Sequence, residues 1–436
     1  MPRAMLRPLA YRHLCRAPRA ALSIRLLLAV LRVALLIAAV LLISHSRGLR
    51  AAELSFEVEE VERSLNIGYA VTLADVDGDG RLDIVVVDTN RVIWYENPHW
   101  RPWVLTQSQT QEDNVAIAAH DIDGDGQIDF ALAAAWRPPG TTAGGSLQWL
   151  ARDGDPRQPW TIHPIGSEPT AHRIRWADLE GHGRPQLVVV PLHGRGTTAP
   201  GWDQRPLRVL AYRVPEPPTS SPWSYEVLNE ELHVAHNFWP GDLDGDGQLD
   251  LLVASFEGVT LLRRDAAGAW RAKRLGEGDQ QSRPNRGASE VKSGRLASGR
   301  DYIATIEPWH GNQVVAYTRP RAGTAEADDR GLWRRQVLDD QLRWGHAVWC
   351  ADLDGDGDEE LIVGVRDEHA DGARCGLRIY DPQGGIGRRW ERHLIDPGGV
   401  AIEDLAVGDL DGDGQPDVVA VGRQTHNVRI YWNRSR

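Results

Sequence analysis

The chain has 436 residues, 44 of them glycine, 26 proline and only 3 cysteine, with a formal net charge of −12. An apolar content of 42% is that of a globular protein and argues against a disordered chain. Residues 1–50 carry nine arginines and no acid, which leaves −21 on the remainder; that acidity argues against nucleic acid as a partner and suits a surface that collects cations.

In chain order, the first feature is an Arg-rich leader that ends in the apolar run Val33–Ile43. So short a run suits the h-region of a secretory signal better than a membrane span of about 20 residues. Residues 1–52 therefore read as a signal peptide cleaved near Ala51 or Ala52, or as an uncleaved signal anchor. Either predicts an extracytoplasmic protein, periplasmic or secreted, that meets a membrane only through this segment.

From there one pattern recurs. Acidic loops stand at ADVDGDGRLD (74–83), HDIDGDGQID (120–129), GDLDGDGQLD (241–250), ADLDGDGDEE (351–360) and GDLDGDGQPD (408–417), with a decayed copy, ADLEGHGRPQ, at 177–186. Their first aspartates are spaced by 46, 57, 64, 110 and 57 residues, and the long gap holds a further repeat, EVKSGRLASGRDYIATIEP (290–308), in which an SGR turn replaces the loop. Seven repeats of about fifty residues predict a propeller or solenoid. Each repeat orders its segments alike: an apolar strand into the loop, a β-branched strand out of it (LDIVVV, LDLLVA), a third strand (RVIWYEN, VRIYWN) and a fourth that opens on tryptophan. Four short strands make a propeller blade. The seventh repeat ends after its third strand, and SFEVEEV (55–61) stands ready to supply the fourth. The expected fold is an all-β, seven-bladed β-propeller over 53–436, closed by its N-terminal strand. Trp103, Trp160, Trp223, Trp270, Trp333 and Trp390 share the fourth-strand slot, which predicts blade packing rather than ligand stacking.

In D-x-D-G-D-G-x-x-D, carboxylates at positions 1, 3, 5 and 9 and a carbonyl at position 7 can surround one calcium ion, with glycines turning the chain. The predicted structural calcium ligands are Asp75, Asp77, Asp79 and Asp83; Asp121, Asp123, Asp125 and Asp129; Asp242, Asp244, Asp246 and Asp250; Asp352, Asp354, Asp356 and Glu360; and Asp409, Asp411, Asp413 and Asp417. His182 and Gln186 replace two carboxylates in the decayed copy, which is expected to bind weakly or not at all. These repeats resemble the FG-GAP/VCBS family, which includes integrin α-chain propellers and bacterial exported proteins. The resemblance implies a structural role for calcium.

The start of each first strand lies on the opposite face of such a blade. Six residues upstream of each first loop position stand Tyr69, Val115, His172, His236, Ser289, His346 and Glu403; the next column contributes Arg173, Asn237, Glu290 and Asp404. A propeller brings such a register around its central channel. The column reads either as polar filling of a wet channel mouth or as a metal or acid–base site, with His172, His236, His346 and Glu403 as ligands for zinc or another divalent ion. The ends of the second strands add His193, Glu307, Trp309, His310, Arg366, Asp367 and Trp136 to the same face. The same geometry keeps Cys350 and Cys375 at opposite ends of their strands, against a disulfide. The upstream histidines and EPWHGNQVVAY resemble the propeller domain of aldos-2-ulose dehydratase-type sugar lyases. That resemblance implies metal-assisted loss of water from a keto-sugar, with His310, His233 or His193 as the base. The competing expectation is a non-catalytic propeller that binds a glycan or a protein, in the manner of a lectin or adhesin.

Overall fold

A computed structural model describes residues 53–321, 330–368, 372 and 374–435; the expected leader, 1–52, lies outside the described residues. Among the described residues, twenty-eight strands, β1–β28 in chain order, form seven antiparallel four-stranded sheets. Six sheets take four consecutive strands each. The seventh is ordered β1-β28-β27-β26, with β1 (Phe56–Glu62) hydrogen-bonded to β28 (Val428–Asn433) from Phe56 opposite Asn433 to Glu62 opposite Val428.

The innermost strands are β2 (Ala70–Ala74), β6 (Ala116–His120), β10 (Ala171–Ala177), β14 (Ala235–Gly241), β18 (Glu290–Arg295), β22 (Gly345–Ala351) and β26 (Ile402–Gly408). Each packs against the innermost strand of the next sheet, and β26 packs against β2, so the seven sheets form a ring around one channel. This is a seven-bladed β-propeller.

The apolar cores lie between sheets. Ile84 and Val86 of the first blade pack with Val419 and Val421 of the seventh, for example. That placement explains why second strands lack the alternation of a half-exposed strand: Asp83–Asp88 is buried at every position because both of its faces meet a neighbouring blade. Outer strands alternate instead; Arg389–Leu394 shows charged side chains to solvent. The fourth-strand tryptophans serve this packing as expected. Trp160 lies 5.4 Å from Phe130 and Trp390 lies 5.2 Å from Tyr302, centroid to centroid. Cys350 and Cys375 are free thiols.

Every acidic loop joins an innermost strand to the second strand of its blade and folds around its first aspartate. Asp75 Oδ1 accepts the N–H groups of Gly78 (2.8 Å) and Asp79 (3.0 Å), and its Oδ2 accepts that of Gly80 (2.9 Å). The turn needs φ of 81° at Gly78 and 88° at Gly80, a region that side-chain-bearing residues avoid. The last aspartate, Asp83, closes the loop by accepting from Val76 at 2.9 Å and from Asn97 at 2.8 Å. The decayed third copy keeps this frame, with Gln186 Oε1 accepting from Leu179 at 3.1 Å.

Candidate functional site: a histidine-lined channel mouth

An innermost strand rises about 3.3 Å per residue, so the six residues between His236 and Asp242 put about 20 Å between the histidine column and the acidic loops. The two features face opposite ends of the ring, and two cavities follow from this. At the upstream end a cavity of about 250 Å³ is lined by His172, His193, His236, His310 and His346, by Trp136, Trp202 and Trp309, and by Arg366 and Glu403. Towards the loop face the channel widens into about 470 Å³, bordered by Arg173, Arg175, Trp239, Lys292, Trp349 and Asp404.

Local backbone irregularity aims the first set. In β10 the pairing skips from Ala171 to Arg173, in β14 from Ala235 to Asn237, in β22 from Gly345 to Ala347 and in β26 from Ile402 to Asp404. The residues skipped are His172, His236, His346 and Glu403. Each is the extra residue of a β-bulge, which turns its side chain out of the normal alternation. The pairings of β2, β6 and β18 show no such shift. Two residues before each histidine the chain also takes a left-handed φ: 59° at Thr170, 44° at Val234 and 54° at Trp344. Such values in β-branched or bulky residues cost about 1–3 kcal/mol each and are retained where surrounding structure enforces them.

The centre of the cavity is a trio. Ligand atoms of His236, His310 and His346 lie within 4.8 Å of one another. The Nε2 atoms of His236 and His310 are 2.8 Å apart. His346 Nδ1 is 2.5 Å from the backbone oxygen of Glu403; a carbonyl only accepts, so Nδ1 carries the proton and Nε2 the lone pair. His236 Nδ1 donates to Glu290 Oε1 at 2.6 Å, while Asn237 Nδ2 donates to Glu290 Oε2 at 2.5 Å. A carboxylate or carbonyl behind the ring, fixing the tautomer, is the arrangement found behind metal-bound histidines. Burial holds His236, His310 and His346 well below the ordinary histidine pKa, with nearby cationic groups adding to it, so all three are neutral. The donor set therefore fits a divalent ion with borderline affinity for nitrogen, such as zinc.

His172 and Glu403, expected as ligands, border this trio. His172 stacks on Trp136 at 4.5 Å and meets His236 edge-on at 4.6 Å, and neither of its buried ring nitrogens has a hydrogen-bond partner. Glu403 Oε1 stands 3.8 Å from His346 Nε2, and its carboxylate is held by Arg366 (3.4 Å) and Arg423 (3.1 Å). His310, expected as a base, stands in the trio with His236 and His346. His193 lines the cavity, stacked on Trp202 at 4.6 Å, with Nδ1 2.9 Å from Pro138 O. Burial pushes its pKa down to about 4. His233 is not among the cavity residues; its Nδ1 is tied to Glu257 at 3.0 Å. Glu307 turns away into its blade, gripped by Arg335 at 2.6 Å and by Tyr317 at 2.7 Å.

Sequence reading passed over the deeper channel. Arg175, Trp239 and Trp349 stand three residues upstream of the first loop position in their repeats, on the same side of the strand as the Arg173 column. Lys292 Nζ lies 3.8 Å from the Trp239 ring centroid and 4.6 Å from that of Trp349, a buried amine beside two indole rings. Counting that second column would have found them.

Residues 144–320 match the aldos-2-ulose dehydratase β-propeller domain family, and residues 70–132 and 352–420 match the FG-GAP-like repeat. The chain carries FG-GAP-like repeats in a propeller similar to that of aldos-2-ulose dehydratase. Aldos-2-ulose dehydratase of Phanerodontia chrysosporium is 31% identical over 253 residues, which are 54% of this chain and 27% of that protein. The chain thus spans about a quarter of the length of this relative. The structure of BBS1N in complex with ARL6DN aligns with a TM-score of 0.50 at 15% identity, over 88% of this chain and 97% of that one, which is a likeness of fold alone. The dehydratase-like segment contains His172, His193, His236 and His310, whereas Glu403 lies in the FG-GAP-like match and His346 lies outside both matched segments.

Proposed function

We propose that this chain is an exported, calcium-stabilised propeller that removes water from a keto-sugar at the histidine-lined channel mouth. The observation that carries the reading is the trio of His236, His310 and His346, with two of its rings fixed through Nδ1 by Glu290 and by the Glu403 carbonyl. A divalent ion held there by neutral imidazoles, with a position left open, would polarise a sugar carbonyl. The five intact acidic loops, on the opposite face, are the calcium sites and hold blades rather than substrate.

The chain's own residues supply the rest. His193 has its Nδ1–H committed to Pro138 O, so its Nε2 lone pair is available to take the proton beside the carbonyl. Its lowered pKa keeps it unprotonated at neutral pH. His172, stacked on Trp136, lines the cavity beside His236. The hydroxyl on the next carbon leaves as water once the abstracted proton is returned to it, which balances the elimination. Trp136, Trp202 and Trp309 wall the cavity, and about 250 Å³ suits one sugar ring.

The test is to strip the protein of metal, restore zinc or manganese with calcium in excess, and follow formation of an ultraviolet-absorbing enone from aldosuloses and anhydrofructose-type keto-sugars. His236→Ala and His346→Ala should each lose the channel-mouth metal equivalent and turnover. Full metal content and full activity in both variants would sink the proposal. Sugar binding without turnover by metal-loaded wild-type protein would make the chain a glycan-binding module instead.

A further inference from the structure

The sixth blade departs from its neighbours in a way the acidic-loop pattern does not explain. In the first, second and seventh blades the last loop carboxylate accepts a backbone N–H from the residue two beyond its strand partner's neighbour: Asn97 to Asp83, Arg152 to Asp129 and Asn433 to Asp417, at 2.8, 3.1 and 2.8 Å. By register, with Leu361 opposite Tyr380, the corresponding residue of the sixth blade is Pro382. Proline has no N–H. Glu360 Oε1 is consequently buried without a partner, and so is Asp354 Oδ2 beside it.

Next to them, strand β24 (Gly376–Gln383) pairs with β25 (Arg389–Leu394) so that Asp381 stands directly opposite Glu391 and Ile379 opposite His393. Two carboxylates in one cross-strand pair repel. Asp381 is only 6% exposed. Gln383 Nε2 donates to its Oδ2 at 2.6 Å, while Oδ1 is buried with no partner. His393 Nε2 is also buried with no partner. Ligand atoms of Asp381, Glu391 and His393 lie within 4.8 Å of one another. A buried carboxylate oxygen and a buried imidazole nitrogen, neither with a hydrogen-bond partner in the protein, thus stand in one cluster of donor groups.

We infer that Asp381, Glu391 and His393 form a second divalent-metal site, on the outer half of the sixth blade and separate from the channel histidines. The imidazole selects the ion. Calcium takes oxygen donors, whereas zinc, cobalt and nickel accept one nitrogen with two carboxylates. Glu391 is exposed and free to rotate, so it can close the ligand set to bonds of about 2.0–2.2 Å. The adjoining loop, Asp352–Glu360, keeps its own oxygen cage, and the two ions would share the field of Asp354 and Asp356.

The test uses the whole protein, stripped with chelator, saturated with calcium and titrated with cobalt(II), whose visible bands report nitrogen and oxygen ligation. His393→Ala should lower the cobalt stoichiometry by one per chain, and this loss should add to the separate loss caused by His346→Ala at the channel. Glu391→Gln, a change at an exposed position, should weaken the same site at least tenfold and serves if His393→Ala folds poorly. Cobalt binding in both blade variants that matches wild type, or a blade signal abolished by calcium, would overturn the inference. Loss confined to His346→Ala would do the same while leaving the channel reading intact.

Discussion

Glu290→Gln changes one atom behind His236, and the structure gives the size of the effect. The carboxylate accepts from two buried donors, His236 Nδ1 at 2.6 Å and Asn237 Nδ2 at 2.5 Å. A glutamine side chain offers one oxygen and one NH2, so one donor must face another donor. If Asn237 keeps the oxygen, His236 has to move its proton to Nε2, the atom that faces His310, and it loses the lone pair that would bind metal. Leaving a buried donor unpaired costs about 1–3 kcal/mol. Removing the carboxylate behind a metal-bound histidine typically weakens binding about 10–100-fold, or about 1.4–2.8 kcal/mol. The two figures agree, so a 10–100-fold weaker zinc Kd is expected by calorimetric titration of chelator-stripped protein in excess calcium. Thermal unfolding of the metal-free forms guards against a general loss of fold. A variant that fills the channel site within twofold of the wild-type zinc Kd, while His236→Ala loses that one equivalent, would refute the assigned tautomer and with it the trio as a metal site.

Three other outcomes follow from particular contacts. Five calcium ions per chain are expected, one for each intact loop; Asp242→Asn should remove one and lower the unfolding temperature, whereas Asp178→Asn in the decayed copy should remove none, as equilibrium dialysis would show. His193 is buried with its pKa lowered to about 4, so folding favours its neutral form; the stability it confers is complete above about pH 6.5 and is lost as pH falls towards 4. His193→Gln should therefore flatten the acid side of the stability profile by up to about 3 kcal/mol between pH 7 and 4 in urea titrations. Arg335→Ala should cost about 3 kcal/mol in the same assay, because it leaves the fully buried Glu307 carboxylate without its ion-pair partner; Arg335→Ala with Glu307→Gln should recover much of that loss.

The repeat was legible in the sequence because it is local. A loop such as DLDGDGQLD needs only its own glycines and aspartates to turn, and an apolar strand on either side of it sets the blade. Repetition of that unit fixed the fold class, the slot of the blade tryptophans and the face on which the histidine column must lie. It also identified SFEVEEV as a candidate partner for the last blade, and β1 is hydrogen-bonded to β28.

The membership of the site was not legible in the same way. His236 and His310 are 74 residues apart and meet only because blades four and five are neighbours in the ring. Counting upstream from the loops placed His172 with His236 and His346, but it could not show that β-bulges turn those side chains inward, since a bulge is a property of pairing with the next strand. Nor could it show that Glu403 is occupied by Arg366 and Arg423, that Glu307 is committed to Arg335, or that His233 is held by Glu257 outside the cavity. The sequence by itself determined a seven-fold repeat of blades, five of them with intact acidic loops, because backbone turns and strand periodicity are encoded over a few residues. Only the tertiary structure decided which polar groups face one another at the channel mouth, because that depends on ring closure, strand register and the competition among buried charges for partners.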